Sequence, residues 1–146
     1  MGIGADIFIG AKTPPDTLRA AAARVFDVPV DRVAFRNLGE PWPQAAVIFE
    51  TVDDDLAPGD FPLQYLPWFP DDRVDDPATI SALAQELGVP ILTAADSYDP
   101  ADQELHLPDG TMHCVSVWQD DDGGIRNTPE MRRLIAAHVP ATAITS

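Results

Sequence analysis

The run Glu104-Leu105-His106-Leu107-Pro108-Asp109-Gly110-Thr111-Met112-His113-Cys114-Val115-Ser116-Val117-Trp118 decides the fold class. Two alternating segments, 104–107 and 111–118, flank Pro108-Asp109-Gly110. That tripeptide reads as a type I turn closed by a left-handed glycine, the common three-residue hairpin loop. Pairing across it sets Leu107 opposite Thr111, His106 opposite Met112 and Glu104 opposite Cys114. Leu105, Leu107, His113, Val115 and Val117 then share one face of the hairpin, and Glu104, His106, Cys114 and Trp118 the other.

Working outward, residues 89–93 read as a buried strand. Before them lies a helix with Asp76 as cap, Pro77 at its first position and Ile80, Leu83, Ala84 and Leu87 as its apolar stripe. Gly88 supplies its left-handed stop. The first half of the chain repeats this grammar. Ile3, Ala5, Ile7 and Ile9 alternate, and Phe8 makes the second face apolar too, which suits a central strand. Thr13-Pro14-Pro15-Asp16 starts a helix with a threonine cap, and Leu18, Ala21, Ala22, Val25 and Phe26 follow at helical spacing. Strands are expected at 33–35 and 45–52. A last helix is capped by Thr128, opened by Pro129 and ended by Pro140, with Met131, Leu134, Ile135 and His138 on one face. The order β-α-β-β-α-β-β-β-α predicts an α+β domain: a mixed, mainly antiparallel sheet with about three helices packed on it. The order does not determine strand neighbours.

The 146 residues predict a single domain over 1–146, long enough to bury roughly two-thirds of its unfolded surface. Hydrophobic residues make up 45% and the formal charge is −15, a combination too apolar for a disordered chain. No apolar run approaches the ~18 residues of a membrane span. The charge excludes a nucleic-acid binder of the basic kind, because counterion release needs Lys and Arg facing phosphates. One cysteine, Cys114, excludes a disulfide scaffold. With no basic and apolar leader at Met1-Gly2-Ile3-Gly4-Ala5-Asp6, and a lone thiol, the expected compartment is the cytoplasm.

The acidity is regional. Residues 37–125 hold nineteen acids against one base, Arg73, while both flanks are slightly positive. Runs stand out: Asp53-Asp54-Asp55, Asp71-Asp72, Asp75-Asp76 and Asp120-Asp121-Asp122. All lie between apolar segments and are expected in surface loops. Like charges held close repel one another, so four such groups in one region suggest a negative field that steers a positive partner. Between two of them, Phe61-Pro62-Leu63-Gln64-Tyr65-Leu66-Pro67-Trp68-Phe69-Pro70 is aromatic and broken by prolines. Residues 53–76 are therefore expected to form a loop, neither continuous helix nor central strand. In it Tyr65, Trp68 and Phe69 are candidate anchors, rimmed by Asp53, Asp54, Asp55, Asp60, Asp71, Asp72, Asp75 and Asp76. The alternative is a structured loop whose aromatics cap the core.

Catalytic signatures are absent from the sequence. His113 adjoins Cys114, but neighbours on a strand point to opposite faces. Cys114 diagonal to His106, with Glu104 nearby, is the one arrangement with nucleophilic geometry, and it falls mid-strand. Asp120-Asp121-Asp122-Gly123 fits the middle of a calcium loop, yet both essential ends fail, at Trp118 and Pro129. Gly2-Ile3-Gly4 precedes a strand where a dinucleotide loop would follow one. The reading expects no enzyme, no cofactor and no metal. Asp6, inside the first strand, is read as a structural acid.

The run Leu83-Ala84-Gln85-Glu86-Leu87-Gly88-Val89-Pro90-Ile91-Leu92, then an Asp/Pro loop, then Leu105-His106-Leu107-Pro108-Asp109-Gly110 and an alternating strand, resembles small acidic bacterial immunity proteins of polymorphic toxin systems. It covers about a third of the chain. The resemblance implies a protein that binds and neutralises a cognate toxin, a basic protein. The acidic loops, Asp120–Asp122 included, would pair with basic groups of that partner while the aromatics fill an apolar pocket. No direct nucleic-acid or membrane binding is expected, and the oligomeric state is left open. The rival readings are a secretion chaperone, a nucleic-acid mimic and a small enzyme.

Overall fold

The computed structural model describes residues 7–35, 47–51, 60–61, 63–68, 77–94, 102–119 and 125–138. Seven strands form one sheet: β1 (Ile7–Ile9), β2 (Val33–Phe35), β3 (Val47–Thr51), β4 (Leu63–Trp68), β5 (Ile91–Ala94), β6 (Asp102–His106) and β7 (Met112–Ser116). Their spatial order is β2-β3-β4-β1-β5-β6-β7. Only β2 and β3 run parallel; every other adjacent pair is antiparallel. Two short strands, β8 (Trp118–Gln119) and β9 (Ile125–Arg126), pair separately. The helices are α1 (Pro15–Phe26), α2 (Pro77–Leu87) and α3 (Pro129–His138). The expected α+β class and element order are observed, with β4, β8 and β9 added.

Helices cover both faces of the sheet. On one, Ile7, Ile9, Phe35, Phe49, Tyr65 and Ile91 pack against Leu18, Ala21, Ala22 and Phe26 of α1 and Ile80, Leu83 and Ala84 of α2. On the other, Phe61, Leu92, Leu105, Leu107 and Val115 pack against Ile125 and against Met131 and Ile135 of α3. β1 is central because both its faces are apolar: Ile7 and Ile9 join the first core while Phe8 packs against the second. Burying each large apolar side chain contributes about 1.5–3 kcal/mol.

Local chemistry ends most elements as expected. The Met131 N–H donates to the Thr128 hydroxyl at 3.3 Å, and Gly88 takes the left-handed conformation after α2, with φ 71°. At the hairpin, the Leu107 N–H donates to the Thr111 carbonyl at 2.9 Å and Gly110 adopts φ 90°. Asp109 accepts from the Thr111 N–H at 3.0 Å, fastening the turn. The α1 start differs from expectation. Pro14 is its cap residue, and the Thr13 hydroxyl donates instead to the Ala11 carbonyl at 3.2 Å. The residue before a proline is held extended, so Pro15 places the non-helical boundary at Pro14.

The segment 53–76 is the larger correction. Its middle is β4, an interior strand between β3 and β1. Pairing with β1 and β3 and the burial of Tyr65 offset the N–H that Pro67 lacks. Residues 63–65 pair with β1, whereas Pro67 and Trp68 are registered only against β3 among the described residues.

Candidate functional site

Tyr65 is not a surface anchor. It is 4% exposed, its ring meets Phe35 and Phe49 edge-on at 6.0 and 5.7 Å, and burial raises its phenol pKa. Alternation along β4 turns it onto the α1–α2 face, where three aromatics make a cluster. Trp68 is in β4 opposite Ile48, and its side chain lies outside the described residues. Asp60 has a place in the fold. Its carboxylate accepts the Asn127 N–H at 2.8 Å, and its own N–H donates to the Ile125 carbonyl at 2.8 Å. It latches the approach to β4 onto β9. Asp53, Asp54, Asp55, Phe69, Asp71, Asp72, Asp75, Asp76, Asp120, Asp121 and Asp122 lie outside the described residues.

The described strand ends still sort those acids. Thr51 is registered with Tyr65, Tyr65 with Ile7, Ile7 with Thr93, Thr93 with Glu104 and Glu104 with Cys114, one row across the sheet. β3 leaves this row toward one end of the sheet; Trp68, Ala94, Asp102 and Ser116 lie toward the other. The connection carrying Asp53–Asp55 and the one carrying Asp71–Asp76 therefore depart from opposite ends. At the Trp68 end the connection 95–101 also leaves β5 and enters β6, and it carries Asp96 and Asp99. Asp102 follows, accepting from the Ser116 hydroxyl at 3.2 Å. Sequence reasoning passed over Asp96, Asp99 and Asp102 because their three-residue spacing forms no run; the signal was the position of the first two between two strands of one antiparallel pair and of Asp102 at the start of the second.

The candidate nucleophilic arrangement comes apart. His106 is fully buried beneath α2, with Nδ1 3.0 Å from the Ser81 hydroxyl and Nε2 3.1 Å from the Thr93 hydroxyl. Desolvation lowers its pKa to about 4, so the ring is neutral at pH 7. Both nitrogens are committed to hydroxyls of α2 and β5, and Cys114 sits exposed on β7. His106 thus ties three elements together. Among the described residues, no three His, Cys, Asp or Glu side chains converge as metal ligands would, and no helix is long and apolar enough to cross a membrane.

Among the described residues, the exposed large apolar side chains are Val30, Met112 and Trp118. Trp118 is 56% exposed and Met112 41%. Both belong to the hairpin strand and its continuation, where β7 forms the outermost strand of the sheet. Met112 lies opposite His106 at one end of β7, and Trp118 follows its other end, where Ser116 faces Asp102. Comparison with protein-family models, with curated proteins and with solved structures finds no match to this chain.

Proposed function

We infer that this protein binds and neutralises a basic protein partner, as an immunity protein does a cognate bacterial toxin. One observation carries the reading. The connections 69–76 and 95–101, with Asp71, Asp72, Asp75, Asp76, Asp96 and Asp99, leave the sheet at the same end, where Asp102 also lies. Arg73 is the only base in those two connections. A concentration of one sign raises the local potential and speeds encounter with the opposite sign. Asp53–Asp55, which depart from the other end, are not needed for this.

The chain is used as bait in a bacterial lysate at low and at ~0.5 M salt, where exposed charge attraction is strongly screened. A variant with Asn at 71, 72, 75, 76, 96 and 99 is run beside it. The reading expects salt-sensitive capture of a basic protein, lost in the variant, whose expression arrests growth unless this chain is co-expressed. Capture of nucleic acid, salt-insensitive capture of an apolar helix, or capture undiminished in the variant would overturn it.

A further inference from the structure

We propose that β7 is the docking edge of this protein, and that it takes an extended, lysine- or arginine-bearing segment of the basic partner as an added strand. The inference rests on the neutralisation reading and specifies how the partner is held. In an antiparallel ladder, hydrogen-bonded and non-hydrogen-bonded pairs alternate. The Leu107 N–H to Thr111 carbonyl bond, 2.9 Å, sets the phase. Leu105 with His113 and Gln103 with Val115 are then the bonded pairs, whereas Met112, Cys114 and Ser116 turn their N–H and C=O groups away from β6. Among the described residues β7 pairs with β6 alone.

Open edges are usually guarded by charge, proline, a bulge or brevity. β7 has none of these: its sequence is Met-His-Cys-Val-Ser over five residues. The outward backbone groups belong to residues whose side chains are also exposed, Met112, Cys114 and Ser116. Added-strand recognition uses such an edge for affinity and the flanking side chains for selection. Here the flanking groups are acidic. Asp102 and Glu104 face Ser116 and Cys114 across the β6–β7 ladder, and Asp109 is in the adjoining turn. A strand laid along β7 with basic residues on that face would meet these carboxylates, with Trp118 and Met112 as apolar contacts at its two ends. Charge complementarity selects a basic segment over a second copy of this chain, whose formal charge is −15.

The test uses the isotope-labelled full chain and the synthetic peptide Lys-Val-Lys-Val-Lys-Val-Lys, with the Glu-for-Lys peptide as its counterpart. The expected result is amide shifts centred on Met112, Cys114 and Ser116, and slowed alkylation of the Cys114 thiol, with the lysine peptide only. Shifts centred elsewhere, an equal response to the glutamate peptide, or those amides already protected in the free chain would overturn the proposal. In the last case, sedimentation and a chain truncated after residue 138 tell a second copy from the segment 139–146 as occupant. The lysate capture is then repeated with Cys114→Pro, which removes an outward N–H and no β6 bond, and with Met112→Lys/Ser116→Lys, which repels a basic strand without touching the core. Both are expected to weaken capture by at least about tenfold, the scale of one or two lost ladder bonds. Undiminished capture by both sinks the docking edge and leaves neutralisation standing; no basic protein captured even by the unaltered chain sinks neutralisation itself.

Discussion

At one border of the sheet, β2 has three residues, all buried, and the Arg19 guanidinium donates to the Val33 carbonyl at 2.8 Å while lying 5.1 Å from the centre of the Phe35 ring. At the other border, β7 has five residues, three of them exposed, with outward backbone groups that pair with no other described strand. Behind β2, Phe35 and Phe49 stack at 5.4 Å and Tyr65 closes the cluster. Beside β7, the α2 face holds the buried His106 of β6, while on the opposite face Val115 joins the second core. An edge can be blunted in many ways, and among the described residues a guanidinium meets the β2 border. The difference is one of exposure: the described residues of β2 are all buried, whereas three of the five in β7 are exposed, although a buried core lies against both halves.

The largest expected effect is on the β2 half. Phe49→Ala is expected to cost about 3–5 kcal/mol, the range for deleting a buried aromatic, whereas Met112→Ala on the open edge stays within ~0.5 kcal/mol. Urea denaturation of both variants checks the contrast, and equal losses would erase it.

His106 sharpens the comparison by pH. Its folded pKa of about 4 lies below the ordinary 6.5, so the unfolded chain binds the proton more readily. The stability from keeping the ring neutral is complete above pH ~6.5 and is lost as pH falls toward 4, on the order of 3 kcal/mol in all. His106→Gln is expected to flatten that slope in denaturant titrations between pH 4 and 8; an unchanged slope would place the acid sensitivity elsewhere.

Arg19→Met is expected to cost about 1–2 kcal/mol, from one charge-assisted hydrogen bond and one cation–π contact. It should also raise concentration-dependent association by unmasking the β2 edge, a change light scattering would detect. At the small end stands the Arg24–Glu86 pair, Nε to Oε2 2.7 Å, which joins α1 to α2 in solvent. Breaking it with Glu86→Gln is expected to move stability by no more than ~0.5 kcal/mol, and a thermal melt showing more would mean the helix pair depends on it.

How far the fold was legible follows the range of the forces involved. Thr128 at the start of α3, Gly88 after α2 and the Leu107–Thr111 register of the hairpin were readable because a cap or a turn is settled within a few residues. β1 was readable as central because Phe8 sits between two isoleucines. β4 was not. Its prolines and aromatics describe a poor strand in isolation, and only pairing with β3 and β1 makes it one. The candidate site divides likewise. The acidic runs were visible as composition, but Tyr65 went to the core and Asp60 to a latch once β4 was laid into the sheet.

By itself the sequence determined the order of the elements apart from β4, β8 and β9, which helix stripes are apolar and how much negative charge the chain carries, since each depends on near neighbours or on simple addition. Only tertiary structure decided which strands border the sheet, which face α2 seals over His106, and at which end the acidic connections leave. Those outcomes depend on how strands distant in the chain line up, and a register or an edge exists only between chain segments that have already met.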